Sequence, residues 1–187
     1  MSLSENSRIW ARDTIAQLSA TLSAFSVHVE PVDVGARGSA LAARIDDKYF
    51  LTIFAAESEG PTRVVISTGI LRNVDLDRYW DALAAANMFH RTRAQGRVVL
   101  SNNSSAATIT LQMTMGPAIL NNVPQFAQVT LGAFAAEARI ARKFLAEKGI
   151  KGDRYSWETG ADLELLMHAI DDQTDLLLDF DDLMQGE

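Results

Sequence analysis

Residues 75–100 carry the passage that decides the fold, and they read DLDRYWDALAAANMFHRTRAQGRVVL. The first part has apolar residues at helical spacing, namely Leu76, Tyr79, Leu83 and Ala86. Acidic residues lie near its start and arginines near its end, as the helix dipole favours. We therefore predict a helix that begins at Asn73 or Asp75 and ends near residue 91. Gly96 stops it, and RVVL begins a strand.

Upstream of this helix the apolar period changes to two, which is typical of strands. Three segments follow one another with short polar links, SALAARI (39–45), KYFLTIFAAE (48–57) and RVVISTGIL (63–71). Such an order predicts an antiparallel meander that Gly69 ends. SVHVEPVDV (26–34) also alternates, but Pro31 leaves two alternatives, an edge strand or an extended connection.

A helix is predicted before the meander, over residues 7–25. Its apolar residues have spacings of three and four and predict one buried face, formed by Ile15, Leu18, Leu22 and Phe25. Asn6 or Ser7 is expected to cap it, because these side chains accept hydrogen bonds from free amides of the first turn.

Downstream, RVVL and TITLQMTM (108–115) predict a hairpin closed by the polar run SNNSSAA. A third helix is expected from an Asn122 cap to about Lys148, with Pro124 in its first turn. Gly149 suits the position after a helix, with Ile150 placed for the accompanying apolar contact. The predicted inner face of this helix consists of Phe126, Val129, Ala133, Ala136, Ile140 and Phe144.

Composition limits the kinds of chemistry. The 187 residues include no cysteine, which excludes disulfides, thiolate catalysis and cysteine-ligated zinc. No apolar run reaches the length of a signal peptide or a membrane span, so a cytoplasmic location without membrane contact is expected.

Charge is unevenly placed and suggests two regions. Residues 1–150 have a net charge of +2 and residues 151–187 a net charge of −9. We predict an α+β domain over 1–150 and an acidic C-terminal extension over 151–187. KGDRYSWETG (151–160) is interpreted as a linker, and ADLELLMHAI (161–170) as a fourth helix with Leu163, Leu166, Met167 and Ile170 on one side. Such acidity argues against nucleic acid as a partner.

The order helix, three strands, helix, two strands, helix resembles the type III secretion chaperone-like fold. Within that fold, the passage 75–100, the hairpin and the last helix PQFAQVTLGAFAAEARIARKFL (124–145) resemble the YbjN family, bacterial proteins often labelled sensory-transduction regulators. The resemblance covers roughly residues 5–148. It implies a non-enzymatic binding or regulatory protein without catalytic residues. Because five half-buried strands need one face covered and three amphipathic helices are present, we expect a five-stranded, mainly antiparallel sheet with helices packed on it.

The chain ends DDQTDLLLDFDDLMQGE (171–187), which raises three alternatives. The aspartates lack the spacing and the central glycine of a calcium loop, so no metal is expected. A solvated tail is the simplest interpretation. However, Leu177, Leu178 and Phe180 are interleaved with acidic residues, a composition known for folding on contact, and these three residues are therefore candidates for partner binding.

His90, Arg91, Arg93 and Arg97 form a basic cluster at the end of the second helix. One interpretation is a site for an anion, an acidic partner or the protein's own tail, with Arg91, Arg93 and Arg97 as its residues. The alternative is charge that complements the helix dipole, which would mildly favour protonated His90. His28, His90 and His168 have no ligand spacing, so zinc is not expected.

No sequence motif for a catalytic site, a metal or a cofactor is present, so none is predicted. The main hypothesis is a YbjN-type module that binds a protein partner of unknown identity. The alternative is a secretion-type chaperone that holds an extended client segment, and a remote alternative is an enzyme whose residues assemble only in space. Sheet edges and the second helix are candidate surfaces for a homodimer.

Overall fold

The computed structural model describes residues 5–32, 39–46, 49–56, 63–92, 96–102 and 105–155. These residues form α1 (Glu5–Ala24), β1 (His28–Val32), β2 (Ser39–Asp46), β3 (Tyr49–Ala56), β4 (Arg63–Val74), α2 (Tyr79–Thr92), β5 (Arg97–Asn102) and β6 (Ala107–Met115). A helical segment follows, formed by a 3₁₀ turn (Pro117–Asn122), α3 (Val123–Gln125), a π turn (Phe126–Leu131) and α4 (Gly132–Glu147). The α+β class is confirmed, and the predicted elements follow one another in the predicted order with one additional strand, β1, after α1.

The described strands form one antiparallel sheet of six strands in the order β1-β2-β3-β4-β6-β5. The prediction of five strands is wrong by one, because His28–Val32 pairs with β2 as an edge strand. Pro31 is tolerated there because one side of an edge strand needs no partner.

All helices that the structure describes lie on one face of the sheet. Leu18 of α1, Phe134 of α4 and Phe89 of α2 meet Leu41, Ile66 and Leu111 of the sheet in one apolar core. Since residues directly opposite in an antiparallel pair share a face, the register assigns the alternate residues to the other face. We call this other side the second face.

The start of α1 differs from its prediction. The helix begins at Glu5, so Asn6 and Ser7 lie within it rather than at its cap. Ile15, Leu18 and Leu22 are buried as predicted, whereas Phe25 is 46% exposed, because the helix ends at Ala24 and Ser26 takes a positive φ.

The second helix begins with a 3₁₀ turn over Leu76–Arg78, and the Asp75 side chain caps it by accepting from the Asp77 amide at 3.0 Å. This confirms one of the two predicted start residues. The inner face of α2 is rotated from the prediction. Ala86 is buried as expected, but the other buried positions are Ala82, Ala85 and Phe89.

The end of α4 agrees with the sequence. Asn122 caps the segment by accepting from the Gln125 amide, and Gly149 has φ +75°. The Ile150 amide donates to the Leu145 carbonyl and the Gly149 amide to the Ala146 carbonyl, which is a Schellman motif. Ile150 is buried in the core as predicted.

Gly69 does not end β4, which continues to Val74. A Cβ atom at this position would lie 2.3 Å from the ring of Tyr155, so the glycine provides the space for that ring. The linker prediction is accordingly wrong for residues 151–155, because Asp153 and Tyr155 pack on β4. The predicted boundary at residue 150 stays a prediction, and the predicted helix at 161–170 lies outside the described residues.

Candidate protein-binding surfaces

The exposed side of α2 carries an unusual apolar surface. Trp80 is 75% exposed and Met88 is 46% exposed. Ala84, also exposed, lies between them at spacings of four, so the three side chains share one helical face. We call Trp80, Ala84 and Met88 the α2 surface. A side chain as large as Trp is seldom left in water to this extent, and Trp is enriched at the centres of protein interfaces.

Trp80 makes an aromatic contact near the start of α2. Its ring meets that of Tyr79 edge to face at 5.7 Å, and an ion pair between Arg78 and Asp81, 3.0 Å apart, lies at the same end of the helix. Arg91 is exposed one turn beyond Met88. The surface thus has an apolar centre with charged ends, which is the usual composition of a protein interface.

Sequence reasoning missed this surface, although a signal was present. Trp80 lies outside the apolar stripe predicted for the second helix, and a large apolar residue outside the core stripe points to solvent. The sequence could therefore have indicated an exposed Trp80.

A second apolar stripe lies on the helical segment 123–147. Val129 is 60% exposed, and Ala133 and Ile140 are also exposed, although the sequence predicted all three as inner-face residues. Phe126 is the one predicted inner residue that is fully buried, while Ala136 and Phe144 are half-buried. From the end of the π turn onward, the buried residues are Leu131, Phe134, Ala135, Glu137, Ala138, Ala141 and Leu145.

The predicted basic cluster is only partly described. Arg91 and Arg97 are both exposed, and Arg93 lies outside the described residues. The role of Arg91, Arg93 and Arg97 as an anion site stays a prediction.

His90 has a structural role at this corner. Its Nε2 accepts a hydrogen bond from the Val98 amide at 2.6 Å, which ties the end of α2 to the start of β5. Burial, and then the charge of nearby Arg97, hold the pKa of His90 below its usual value of 6.5. The expected preference for the protonated ring is therefore wrong. Desolvation outweighs the helix dipole at this position.

Glu137 is a buried carboxylate that the sequence did not reveal. Its Oε1 accepts from the Gly96 amide at 3.3 Å, and its Oε2 has no hydrogen-bond partner among the described residues. It connects α4 to the start of β5. The sequence did not mark it, because a glutamate on an amphipathic helix is expected to face solvent.

The described residues contain no group of three or more side chains suited to a metal ion. Within the same ranges, no helix combines the length and the apolar character needed to cross a membrane. The partner candidates Leu177, Leu178 and Phe180, the terminal aspartates and His168 lie outside the described residues, and their roles stay predictions.

Comparison with known proteins gives a likeness of fold. No protein-family model matches the sequence, and no curated protein matches it. Among solved structures, the chain is similar to the crystal structure of YbjN, a proposed transcription regulator from E. coli. The TM-score is 0.55 at 10% sequence identity, and the match covers 76% of this chain and 95% of that chain. The fold is therefore YbjN-like.

Proposed function

We propose that this chain is a non-enzymatic module of the YbjN type that binds a protein partner in a regulatory role. The observation that carries the proposal is the exposure of Trp80 at 75%, at one end of the apolar α2 surface. The YbjN-like fold agrees with it, since that neighbour is itself a proposed regulator. The comparison with YbjN supports the regulatory role only by analogy of fold.

The chemistry of the surface favours a partner with an apolar centre. Trp80 and Met88 present aromatic and flexible thioether side chains, which pack against varied apolar surfaces. Arg91 at the far end favours an acidic residue on the partner. A phosphate backbone suits the surface less well, because its centre has no cation and the chain has a net charge of −7.

The test is affinity capture from a lysate of the cells that make the protein, with Trp80→Ser and Met88→Ser combined in the full chain. Truncation of an interface centre typically costs at least about 2 kcal/mol, so capture should fall about thirtyfold or more. Because Trp80 and Met88 are exposed, the thermal melt should change little.

The matched control is Val129→Ser with Ile140→Ser, which removes the same kind of exposed apolar area from the other stripe. This variant should capture the partner as the parent chain does. If the α2 variant captures as much as the parent, or if the control loses capture equally, the α2 surface is not the binding site. Sedimentation of the parent shows whether a second copy of the chain occupies the surface.

The tail candidates form a separate test. Leu177→Ser with Phe180→Ser should weaken capture without altering the melt if residues 171–187 also contact the partner. Unchanged capture would remove this segment from the interface and leave it as solvated charge.

A further inference from the structure

The centre of the second face of the sheet is buried although no described helix lies on it. At its centre are Ala42 of β2, Ser67 and Gly69 of β4, and Thr110 and Gln112 of β6. Ser67 and Thr110 are 0% exposed, and Ala42 is 1% exposed. Because these fractions belong to a single chain, the cover is part of the same molecule.

The chain crosses to this face directly after α4. Ile150 lies in the core on the helix side. Asp153 then pairs with Arg72 of β4 through two backbone hydrogen bonds of 2.8 and 2.9 Å, and its carboxylate accepts from the Asn73 side chain at 2.8 Å. Tyr155, 2% exposed, lies over Gly69 on the second face. Residues 150–155 thus pass from one side of the sheet to the other.

Tyr155 alone does not account for the buried area. Ala42 lies on β2, two strands from Gly69 on β4, which is about 10 Å at the usual strand spacing. Ser67 of β4 is paired with Gln112 of β6, so the buried area extends further, to the strand next to β5. A single aromatic ring is too small to cover an area of this width. The residues that follow Tyr155 in the chain start at this face and are the candidates for the rest of the cover.

The sequence after Tyr155 has the pattern of such a cover. Residues 161–170 place Leu163, Leu166, Met167 and Ile170 at helical spacing. A helix of ten residues is about 15 Å long, which matches about three strand spacings. The small side chains of Ala42 and Ser67 allow a helix to approach the sheet closely beside the Tyr155 ring.

Charge favours the same arrangement. Arg44 and Arg97 lie on the second face by register, on β2 and on the outer strand β5. Residues 156–187 contain ten acidic side chains and no lysine or arginine, and three of the ten, Glu158, Asp162 and Glu164, lie within 156–170. Opposite charges of this kind favour an intramolecular contact over release of the segment into water.

We propose that residues 156–170 cover the second face of the sheet within the same molecule, with the apolar stripe Leu163, Leu166, Met167 and Ile170 against it. The acidic residues 171–187 then start beside the sheet. They remain available to a partner, and the α2 surface lies on the opposite layer. The proposal is therefore independent of the proposed function.

The test uses the absence of natural cysteines. Ser67→Cys in the full chain reports the accessibility of the second face to a thiol reagent. Thr114→Cys, exposed on the same face, and Ala138→Cys, buried on the helix side, are its references. We expect Ser67→Cys to react at least about tenfold more slowly than Thr114→Cys, because its reaction needs local opening of the cover.

Displacement of the cover gives the decisive comparison. Leu166→Glu with Met167→Glu should raise the reaction rate of Ser67→Cys about tenfold or more, because the stripe then carries charge, and should leave Ala138→Cys protected. Leu165→Glu, off the stripe, should have no such effect. The proposal is overturned if Ser67→Cys reacts as fast as Thr114→Cys in the parent, or stays protected in the charged variant.

A second measurement applies if the charged variant also exposes Ala138→Cys, which would indicate general unfolding. Ser67→Cys is then paired with Leu166→Cys or with Leu165→Cys in the otherwise unchanged chain and treated with a short thiol cross-linker. Efficient intramolecular cross-linking at 166 and weak cross-linking at 165 supports the proposal. Equal yields at both positions, or products of twice the mass, contradict it.

Discussion

The sequence places His90 at a charged helix end, but in the structure His90 connects α2 to β5 through a hydrogen bond with the Val98 amide. Its position in the last turn of α2 favours protonation, but its burial and Arg97 favour the neutral ring. The Val98 amide needs an acceptor at Nε2. The sequence could predict that His90 ends the helix, but not which environment the next strand would build around it.

A pH dependence follows from His90. Because its pKa is lower in the folded chain than the usual 6.5, the unfolded state binds more protons as the pH falls below that value. The contribution to stability is therefore full above about pH 6.5 and is lost as the pH falls through the folded pKa. His90→Gln, which keeps an acceptor but does not titrate, should flatten the free energy of unfolding between about pH 7.5 and 5.5.

The measurement is urea unfolding at several pH values, with His28→Gln as the control. His28 lies on the exposed edge strand, where its Nε2 is 3.2 Å from the Glu30 carboxylate. Equal slopes for the parent and the His90 variant would mean that another group titrates in this range.

At the scale of elements, the π turn explains why the predicted inner face of the last helix failed. The predicted stripe runs through Phe126, Val129, Ala133, Ala136, Ile140 and Phe144. Beyond Phe126, the large and small apolar residues that line the core include Leu131, Phe134, Ala138, Ala141 and Leu145, which follow the predicted positions by one or two residues. A π turn holds one more residue than an α turn, so it advances the phase by one residue. Sequence periodicity assumes one period throughout and cannot show such a turn.

This interpretation predicts that one deletion is tolerated. Removing Gln128, exposed within the π turn, allows an ordinary α turn and brings Phe126 and the later buried residues into one continuous stripe. The variant should keep a cooperative melt and lose about 1–3 kcal/mol at most, as for a repacked core.

Deletion of Lys143 is the matched control, since it removes an exposed residue from the regular part of α4. It turns Leu145 and Ile150 about 100° away from the core and should cost several kcal/mol. Thermal melts followed by circular dichroism measure both variants. Equal losses of stability in the two deletion variants would show that the π turn is not a one-residue insertion.

For the whole molecule, local patterns predicted the order of elements because the apolar residues of each strand and each helix repeat with the period of that element. The contact between Gly69 and Tyr155 could not be predicted, because it joins residues far apart in the chain. The α2 surface as a whole could not be predicted either, because the pattern indicates an exposed Trp80 but the face that Trp80 shares with Met88 depends on the observed rotation of α2. The second face was missed because its small and polar side chains do not mark it as buried.

The last prediction concerns how much the helix side and the second face of the sheet each contribute to stability. The helix-side core lies almost entirely before Gly149, so chains ending at residue 150 and at residue 155 should both fold and melt cooperatively. The longer chain keeps the Arg72–Asp153 bridge and the contact of the Tyr155 ring with Gly69, and should be more stable by about 1–2 kcal/mol, less than the full effect of burying one large side chain because residues 156–170 are removed. Tyr155→Ala in the longer chain is the control and should remove most of this difference. Urea unfolding measures the three chains, and equal stabilities at 150 and 155 would show that residues 151–155 add no net stability to the fold.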